Sequence, residues 1–261
     1  MSERNPHGWP IWYELVTADA EAAAAFYQPI FGWSIGPKPA GDVDYRMIDT
    51  GHGHVGGLLS LTDTMAGACA KPGWLFYVGV DDVDAAAATA ADLGGTILKA
   101  PRDLPDVGRF ALVADPQGVP FYVMRGAVEG ASTAYDRMGM GKGSWNELAT
   151  PDQPAANAFY AALFGWDFPD RMPMGEMGDY IFLAAAGQII GATMPRQPGG
   201  PAGWQFYFRV PDIDAAAEQV RAGGGAVHFG PQEVPGGERV IVASDPHGVM
   251  FGAVAPAGGK A

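Results

Sequence analysis

The sequence predicts an α+β protein made of two similar halves, each containing two strand–helix–strand–strand–strand (βαβββ) modules. The first observation is a long repeat, because WYELVTADAEAAAAFYQPIFGW (12–33) is matched 133 positions later by WNELATPDQPAANAFYAALFGW (145–166). The second is that the same order of strand and helix patterns occurs twice within each half. The chain is therefore interpreted as a tandem duplication whose halves are themselves built from paired modules.

The first module begins with a strand and a helix. IWYELVTAD (11–19) is typical of a strand, and the following segment predicts a helix that starts after Asp19 and stops by Gly32. Aspartate is a favoured residue before the first helical turn, and glycine is favoured just after the last one. Two or three short strands are expected between this helix and about residue 60.

The second module repeats this order. WLFYVGVDD (74–82) predicts a strand, and DVDAAAATAADLGG (82–95) predicts an alanine-rich helix that ends on two glycines. Three more strands follow, TILKAP, GRFALVADP and PFYVMRG, with DPQG as a tight turn between the last two. The corresponding segments of the second half predict the same elements.

Composition restricts the class of partner. The net charge of −13 and the lack of a Lys/Arg run argue against nucleic acid, which requires a basic face. No apolar run approaches the roughly 18 residues of a membrane span, and residues 1–20 show no signal-peptide pattern. The single Cys69 is interpreted as a passive thiol. We expect a soluble cytoplasmic monomer or homodimer whose partner is a small molecule, with no nucleic acid and no membrane.

Three motifs occur once in each half: FY…(L/I)FGW, V-x-D-x-D-A-A and DPxGxxF. Together they resemble the vicinal oxygen chelate superfamily, the group of glyoxalase I, bleomycin-resistance proteins, fosfomycin-resistance enzymes and extradiol dioxygenases. The likeness covers nearly the whole chain and is greatest to two-domain bacterial glyoxalase-like proteins. It implies a first domain over 7–126, a linker over 127–142 and a second domain over 143–256. In each domain, paired modules would curl into an open barrel around a ligand cavity. Such a fold does not by itself fix the reaction.

The resemblance also implies one divalent metal, held by His, Glu or Gln side chains from the first, fifth and last strands of a domain. Those positions fall on Glu14, Leu75 and Tyr122 in the first half, and on Glu147, Gln205 and Gly252 in the second. One carboxylate and one amide are too few ligands to retain a divalent ion tightly. A metal held by the usual three positions is therefore disfavoured, with Glu147 and Gln205 as weak candidates, and no cofactor is predicted.

Glu14 and Glu147 are the candidate catalytic residues, and three interpretations stay open. Each could accept hydrogen bonds as a structural group, act as a base with a raised pKa in an apolar cavity, or anchor a ligand. A tryptophan lies two residues before each glutamate and so on the same strand face. We expect both carboxylates to point into the concave face of their barrel, near donors such as Tyr45 and Tyr180.

The candidate ligand-binding residues are aromatic, amide and arginine side chains expected near the cavity: Trp12, Tyr77, Arg109, Tyr122, Trp145, Gln205, Tyr207 and Arg239. The two arginines occupy equivalent places in the halves. They could clamp an anionic or carbonyl ligand, or lie at the surface beside an acidic residue such as Asp106 or Glu238.

Two further groups of residues are assigned from their pattern. The helix and post-helix aromatics are predicted to be core residues: Phe26, Trp33, Phe159 and Trp166. The segment DRMPMGEM (170–177) is predicted to be a loop that either adapts over an apolar ligand or is simply mobile.

Three functions follow from these features. The first is a glyoxalase-like enzyme, of lyase, isomerase or dioxygenase type, that uses a carboxylate base on a small carbonyl, phenolic or polyketide-like compound. The second is a binding protein of the bleomycin-resistance kind that sequesters an apolar or aromatic compound without chemistry. In the third, one half is purely structural and only the other binds.

Overall fold

The computed structural model describes residues 4–67 and 71–258, so Cys69 lies outside the described residues. The first half of the chain has the elements β1 (Trp9–Thr17), α1 (Ala20–Phe31), β2 (Ser34–Ile35), β3 (Tyr45–Asp49), β4 (His54–Ser60), α2 (Asp63–Gly67), β5 (Gly73–Gly79), α3 (Val83–Asp92), β6 (Thr96–Leu104), β7 (Gly108–Ala114) and β8 (Pro120–Gly126). This is the predicted order, with the one-turn helix α2 added.

The second half repeats the same order. Its elements are β9 (Gly143–Thr150), α4 (Gln153–Phe164), β10 (Arg171–Pro173), a 3₁₀ turn (Gly175–Met177), β11 (Asp179–Ala185), β12 (Gln188–Pro195), β13 (Gly203–Arg209), α5 (Ile213–Ala222), β14 (Ala226–Val234), β15 (Glu238–Ser244) and β16 (Met250–Pro256). The predicted loop at 170–177 was partly wrong, because Met172 lies in the short strand β10. Among the described residues, none of the helices has the length and apolar character needed to cross a membrane.

Capping residues set the ends of the helices as the sequence predicts. The Asp19 side chain accepts a hydrogen bond from the Ala22 backbone N–H at 2.9 Å, and Gly32 follows α1 in the left-handed conformation with φ of 67°. Asp152 and Gly165 do the same for α4. Side-chain caps satisfy backbone donors that the first turn leaves open, and glycine adopts positive φ without a Cβ clash.

The strands form two eight-stranded sheets. Their orders are β2-β3-β4-β1-β5-β8-β7-β6 and β10-β11-β12-β9-β13-β16-β15-β14. Within each module the first strand pairs in parallel with the fourth, as β1 does with β4 and β9 with β12. The remaining pairs in the module are antiparallel, as for β3 with β4. The prediction of two paired βαβββ modules is confirmed.

The sheets follow the two halves of the sequence, whereas the compact units of the fold do not. The first unit contains residues 4–11, 75–132 and 145–204. The second unit contains residues 12–67, 71–74, 133–144 and 205–258. Each unit thus takes most of one module from each half of the sequence. The domain boundaries 7–126 and 143–256, with a linker over 127–142, stay a prediction.

The core of the first unit joins β8 to α4. The Phe121 ring lies 5.6–6.3 Å from the rings of Phe159, Tyr160 and Phe164, and all four side chains are buried. At the edge of this cluster the Tyr160 hydroxyl donates to Asp115 Oδ2 at 3.1 Å. Asp115 Oδ1 in turn accepts the backbone N–H of Gln117, within the DPQG turn, and that of Val119, just after it. The turn before β8 is thereby fixed to the helix.

The second unit contains the same arrangement. The Phe251 ring of β16 packs against Phe26, Tyr27 and Phe31 of α1 at 5.3–5.9 Å. The Tyr27 hydroxyl donates to Asp245 Oδ2 at 3.2 Å. Burial raises the pKa of both tyrosines, Tyr27 and Tyr160, so their hydroxyls stay protonated donors. The predicted core residues Phe26, Trp33, Phe159 and Trp166 are all buried.

Part of the predicted linker is packed into the second unit. Arg209, only 1% exposed, donates from Nε to the Arg137 carbonyl at 2.6 Å and forms an ion pair with Glu238. Ala134 and Tyr135 are buried. The linker segment is held by polar contacts that its glycine-rich sequence did not indicate.

Candidate functional site

One face of β9 is covered and the other is partly open. Ser144, Asn146 and Leu148 are buried, whereas Trp145 and Glu147 alternate with them and are half-buried. The alternation follows from the pleat, which directs successive side chains to opposite faces. Glu147 therefore lies on the open face of its strand, together with Trp145 as predicted.

Strand register places further side chains on this face. Glu147 is opposite Ala192 on β12, and Ala192 is opposite Phe182 on β11. Tyr180 lies two residues before Phe182 and is opposite Met172 on β10. We call this face the Glu147 surface. Its six half-buried members are Trp145, Glu147, Met172, Tyr180, Phe182 and Met194. It is an aromatic and methionine surface that carries one carboxylate.

A short chain of hydrogen bonds crosses the Glu147 surface. Trp145 Nε1 donates to the Tyr180 hydroxyl oxygen at 2.8 Å, and that hydroxyl donates to Glu147 Oε2 at 2.7 Å. The direction is fixed, because an indole N–H can only donate and the tyrosine then directs its single proton to the carboxylate. The Phe182 ring lies 5.8 Å from Tyr180 and 6.2 Å from Trp145 in edge-on geometry.

The equivalent residues of the first half lie in the other unit and form the Glu14 surface, which comprises Trp12, Glu14, Tyr45, Met47 and Leu59 by the register of β1, β3 and β4. Trp12 Nε1 donates to the Tyr45 hydroxyl at 2.7 Å, as in the second half. Glu14, however, is only 1% exposed. The two copies share the Trp–Tyr hydrogen bond but differ in how far the carboxylate is covered.

The tyrosines and the glutamine predicted to bind ligand contact other side chains. In the first unit Tyr77 stacks on Tyr122 with ring centroids 4.1 Å apart, and both are buried. In the second unit Gln205 Nε2 donates to the Tyr207 hydroxyl at 3.1 Å. Tyr207 is opposite Gly252, where a Cβ would lie 2.2 Å from the tyrosine ring. The Tyr207 ring therefore lies directly against the Gly252 backbone.

Arg109 and Arg239 are engaged in surface ion pairs. Arg109 Nε lies 2.6 Å from Asp84 Oδ2, and Arg239 Nη1 lies 2.5 Å from Asp214 Oδ2. These hydrogen bonds hold the pKa of Asp84 and of Asp214 below its usual value. The partners differ from the two acidic residues named as examples from the sequence, because the pairs are with Asp84 and Asp214, and Glu238 pairs with Arg209. A ligand-clamp role for the two arginines stays a prediction.

The comparisons with known proteins agree with this architecture. Residues 144–252 match the family described as Glyoxalase/Bleomycin resistance protein/Dioxygenase superfamily, and residues 12–124 match the Glyoxalase-like domain. A Mycobacterium bovis protein named "Putative glyoxylase CFP32" is 34% identical over 253 residues, which cover 96% of this chain and 95% of the relative. The chain belongs to the glyoxalase superfamily.

Other known proteins are similar to this chain over comparable lengths. The "Anthracycline biosynthesis protein DnrV" of Streptomyces peucetius is 31% identical over 270 residues, covering 95% of this chain and 93% of its own. The Mn(II)-bound glyoxalase of Novosphingobium aromaticivorans superimposes with a TM-score of 0.68 at 19% identity, over 96% of this chain and 82% of that one. The 2,3-dioxygenase LapB of Pseudomonas sp. KL28 gives 0.65 at 16% identity, over 98% and 94%. At these identities the structures show a shared fold alone.

The residues present do not fit the metal site that the superfamily implies. Gly252 supplies no ligand atom, and the Tyr207 ring occupies the space that a side chain there would enter. In the first half Leu75 is a hydrocarbon, and Tyr122 is stacked on Tyr77. Across residues 4–67 and 71–258, His, Cys, Asp and Glu nowhere gather in threes around a point that could hold a metal.

Sequence reasoning found part of the Glu147 surface. It selected Glu147 and Trp145 from the repeated strand and named Tyr180 as a donor. It missed Met172, Phe182 and Met194, which reach this surface through the pairing of β10, β11 and β12. The dipeptide Asp-Tyr, repeated at 44–45 and 179–180, was the available signal for the tyrosines.

Proposed function

We propose that this glyoxalase-superfamily protein binds a small planar aromatic or phenolic carbonyl compound on the Glu147 surface, and that Glu147 moves a proton on it. The observation that carries the proposal is a half-buried carboxylate among three aromatic and two methionine side chains. Aromatic rings and polarizable thioethers offer a planar ligand a large contact area. The carboxylate is the one ionisable acid of that surface.

The chemistry follows from the position of the carboxylate. A carbonyl compound with an acidic C–H loses that proton to Glu147, and the electron pair of the broken bond moves onto the carbonyl as an enolate. Tyr180 donates to Oε2 at 2.7 Å and so holds the Glu147 carboxylate, which takes the arriving proton, in place. A carboxylate held in place by a second group can serve as a general base for a ligand whose C–H proton lies within hydrogen-bond reach.

Names of relatives support the ligand class. One relative is named a glyoxylase and another an anthracycline biosynthesis protein, and both cover more than nine-tenths of this chain. A small carbonyl or a planar polyketide-type ligand is compatible with both names. The proposed reaction uses no metal, because the donor set at the superfamily positions is incomplete. Elemental analysis of protein purified without chelators should find no stoichiometric Mn, Fe, Ni or Zn, and one such ion per chain that is lost in Glu147→Gln would contradict this part.

Proton transfer can be tested with anthrone, a planar aromatic ketone with an acidic C–H. Wild-type protein in D₂O should accelerate exchange of that hydrogen, followed by proton NMR, and Glu147→Gln should abolish the acceleration. Glu14→Gln is the matched control, because it makes the same change at the covered copy and should leave exchange intact. Equal loss in both variants, or exchange unaffected by Glu147→Gln, would refute the assignment.

Sequestration without chemistry is the second candidate function. It is favoured by the stacked Tyr77 and Tyr122 rings and by the missing metal ligands. The two functions separate when the quenching of tryptophan fluorescence by a dihydroxyanthraquinone is measured alongside anthrone exchange. Tight binding in wild type without accelerated anthrone exchange would select sequestration, whereas binding together with exchange selects the enzyme.

A further inference from the structure

The two copies of the site differ at the residue opposite the glutamate. Glu14 is opposite Gly57 on β4, whereas Glu147 is opposite Ala192 on β12. Tyr45 and Tyr180 occupy equivalent places in the repeat and accept the same tryptophan hydrogen bond, at 2.7 and 2.8 Å. The difference between glycine and alanine therefore occurs within an otherwise conserved arrangement of Trp, Tyr and Glu.

The glycine allows a closer approach of the tyrosine ring. A Cβ built on Gly57 would lie 2.2 Å from Cζ and from the hydroxyl oxygen of Tyr45, so the ring lies directly against the backbone there. Ala192 carries that Cβ, and carbon atoms in contact stay about 3.5 Å or more apart. The Tyr180 ring must therefore stand further from β12 than the Tyr45 ring stands from β4.

This displacement corresponds to the difference in burial of the carboxylates, because Glu14 is 1% exposed and Glu147 is half-buried. We infer that the residue opposite the glutamate, Gly57 or Ala192, decides whether that copy of the site is open to ligand. The Glu14 surface is a closed duplicate covered by Tyr45, and the Glu147 surface takes one ligand per chain. The ligand-binding part of this inference rests on the proposed function, whereas the covering of Glu14 does not.

A methyl group at position 57 should open the closed copy. The clash it creates is with the far end of the Tyr45 side chain, which can rotate away, and Gly57 has no positive φ that alanine would resist. Gly57→Ala should therefore fold and displace the tyrosine. Tyr45→Ala removes the covering ring directly and serves as a second variant where the first disturbs folding. Ala192→Gly is the mirror change, expected to let Tyr180 settle over Glu147.

Accessibility can be measured without any ligand. Carboxylates are coupled to glycine ethyl ester with a water-soluble carbodiimide, and the rate at each glutamate is read by peptide mass spectrometry, with exposed Glu218 as the internal reference. In wild type Glu147 should react several-fold faster than Glu14. Gly57→Ala and Tyr45→Ala should raise the rate at Glu14, and Ala192→Gly should lower the rate at Glu147. Equal rates in wild type, or a Glu14 rate unchanged in both opening variants, would overturn the inference.

Ligand stoichiometry tests the other part. Titration with a dihydroxyanthraquinone should give one site per chain in wild type, none in Glu147→Gln, and a second site in Gly57→Ala that Glu14→Gln removes. If wild type binds no ligand while the labelling rates behave as expected, the proposed function fails and the covering of Glu14 stands. A different outcome is that wild type binds one ligand, and that Glu14 is labelled faster in the opening variants but binds no second ligand. The claim that Gly57 controls ligand binding is then wrong, and the proposed function stands.

Discussion

Tyr180 holds the Glu147 carboxylate by a hydrogen bond to one of its two oxygens. Its hydroxyl receives the Trp145 N–H and gives its own proton to Oε2. A hydrogen bond donated to a carboxylate favours the ionised form, because the bond is stronger to the charged than to the neutral group. The tyrosine is therefore a positioning residue that also favours the ionised form of the base.

Replacing Tyr180 by phenylalanine should make Glu147 titrate at a higher pH, since the donor to its charged form is lost. The measurement is the carbon-13 chemical shift of the Glu147 carboxyl carbon against pH in ligand-free protein. The pH profile of anthrone exchange should move in the same direction. Tyr45→Phe is the matched control and should leave the Glu147 titration unchanged. A Tyr180→Phe titration identical to wild type would contradict the proposed hydrogen-bond role.

Gly56 and Gly57 are adjacent in β4 but should respond very differently to alanine. A Cβ on Gly56 would lie 1.9 Å from the backbone carbonyl oxygen of Tyr13, which β-sheet pairing holds in place. At Gly57 the Cβ would meet only the end of the Tyr45 side chain. Overpacking that forces the backbone to shift costs about 1–3 kcal/mol and occasionally more. Urea unfolding should thus show a loss of that order for Gly56→Ala and a clearly smaller one for Gly57→Ala, and equal losses would contradict the geometry.

At the scale of elements, Tyr160 links helix α4 to the turn before β8 through Asp115. Desolvation raises the pKa of the Asp115 carboxyl, and hydrogen bonds from Val119, Gln117 and Tyr160 oppose that rise. Because the pKa of Asp115 is higher in the folded than in the unfolded state, its carboxyl group contributes most to stability at pH values below the unfolded pKa. That contribution is lost as the pH rises through the folded pKa. The Tyr160 hydroxyl limits that loss, because it stabilises the ionised form.

Tyr160→Phe should therefore destabilise the protein more at pH 7 than near pH 4. At neutral pH the buried carboxylate loses a donor, a defect that costs about 1–3 kcal/mol. At lower pH a larger fraction of Asp115 is protonated and the missing donor matters less, so the stability difference from wild type should narrow. Urea unfolding at both pH values gives the comparison. Tyr135→Phe is the control, because its hydroxyl bonds to the Ser144 carbonyl, which does not titrate. A Tyr160→Phe difference independent of pH would contradict the argument.

The elements that the sequence predicted well are those with local signals. Asp19 and Gly32 mark the ends of α1 through contacts within a few residues, so the pattern was sufficient. Met172 was placed in a loop, because a three-residue strand among Pro and Met residues has no detectable alternation. The Glu147–Trp145 pair was predictable from spacing along one strand. Met194 and Phe182 were not, since they reach the site through strand register, which no local signal encodes.

At the scale of the whole molecule, each compact unit draws most of one module from each half of the sequence. The buried contacts reflect this origin, because Tyr27 of the first half bonds Asp245 of the second, and Tyr160 of the second bonds Asp115 of the first. The repeat in the sequence suggested that each half packs on its own. The packing of modules from different halves could not be predicted from periodicity. Similar modules give the same hydrophobic pattern whichever copy they pack against.

The two halves of the sequence should therefore fold together and not singly. Residues 1–130 alone keep Phe121 and Asp115 but lack the α4 aromatics that cover them, and residues 131–261 lack the α1 aromatics that pack on Phe251. Exposing such rings costs about 1.5–3 kcal/mol for each large side chain. Neither half should thus be a stable monomer by near-ultraviolet circular dichroism.

Mixing the separately expressed halves should restore the native spectrum and a single complex on size exclusion. The control is full-length protein cut after folding at a protease site placed within 127–132, which should stay associated, because the cut breaks no buried contact of either aromatic cluster. A half that self-associates agrees with the argument, since its modules can pair with equivalent modules of a second copy. A well-folded monomeric half with stability near that of the intact chain would show that the halves are independent domains, and would make the cross-half aromatic and Tyr–Asp contacts secondary to the fold.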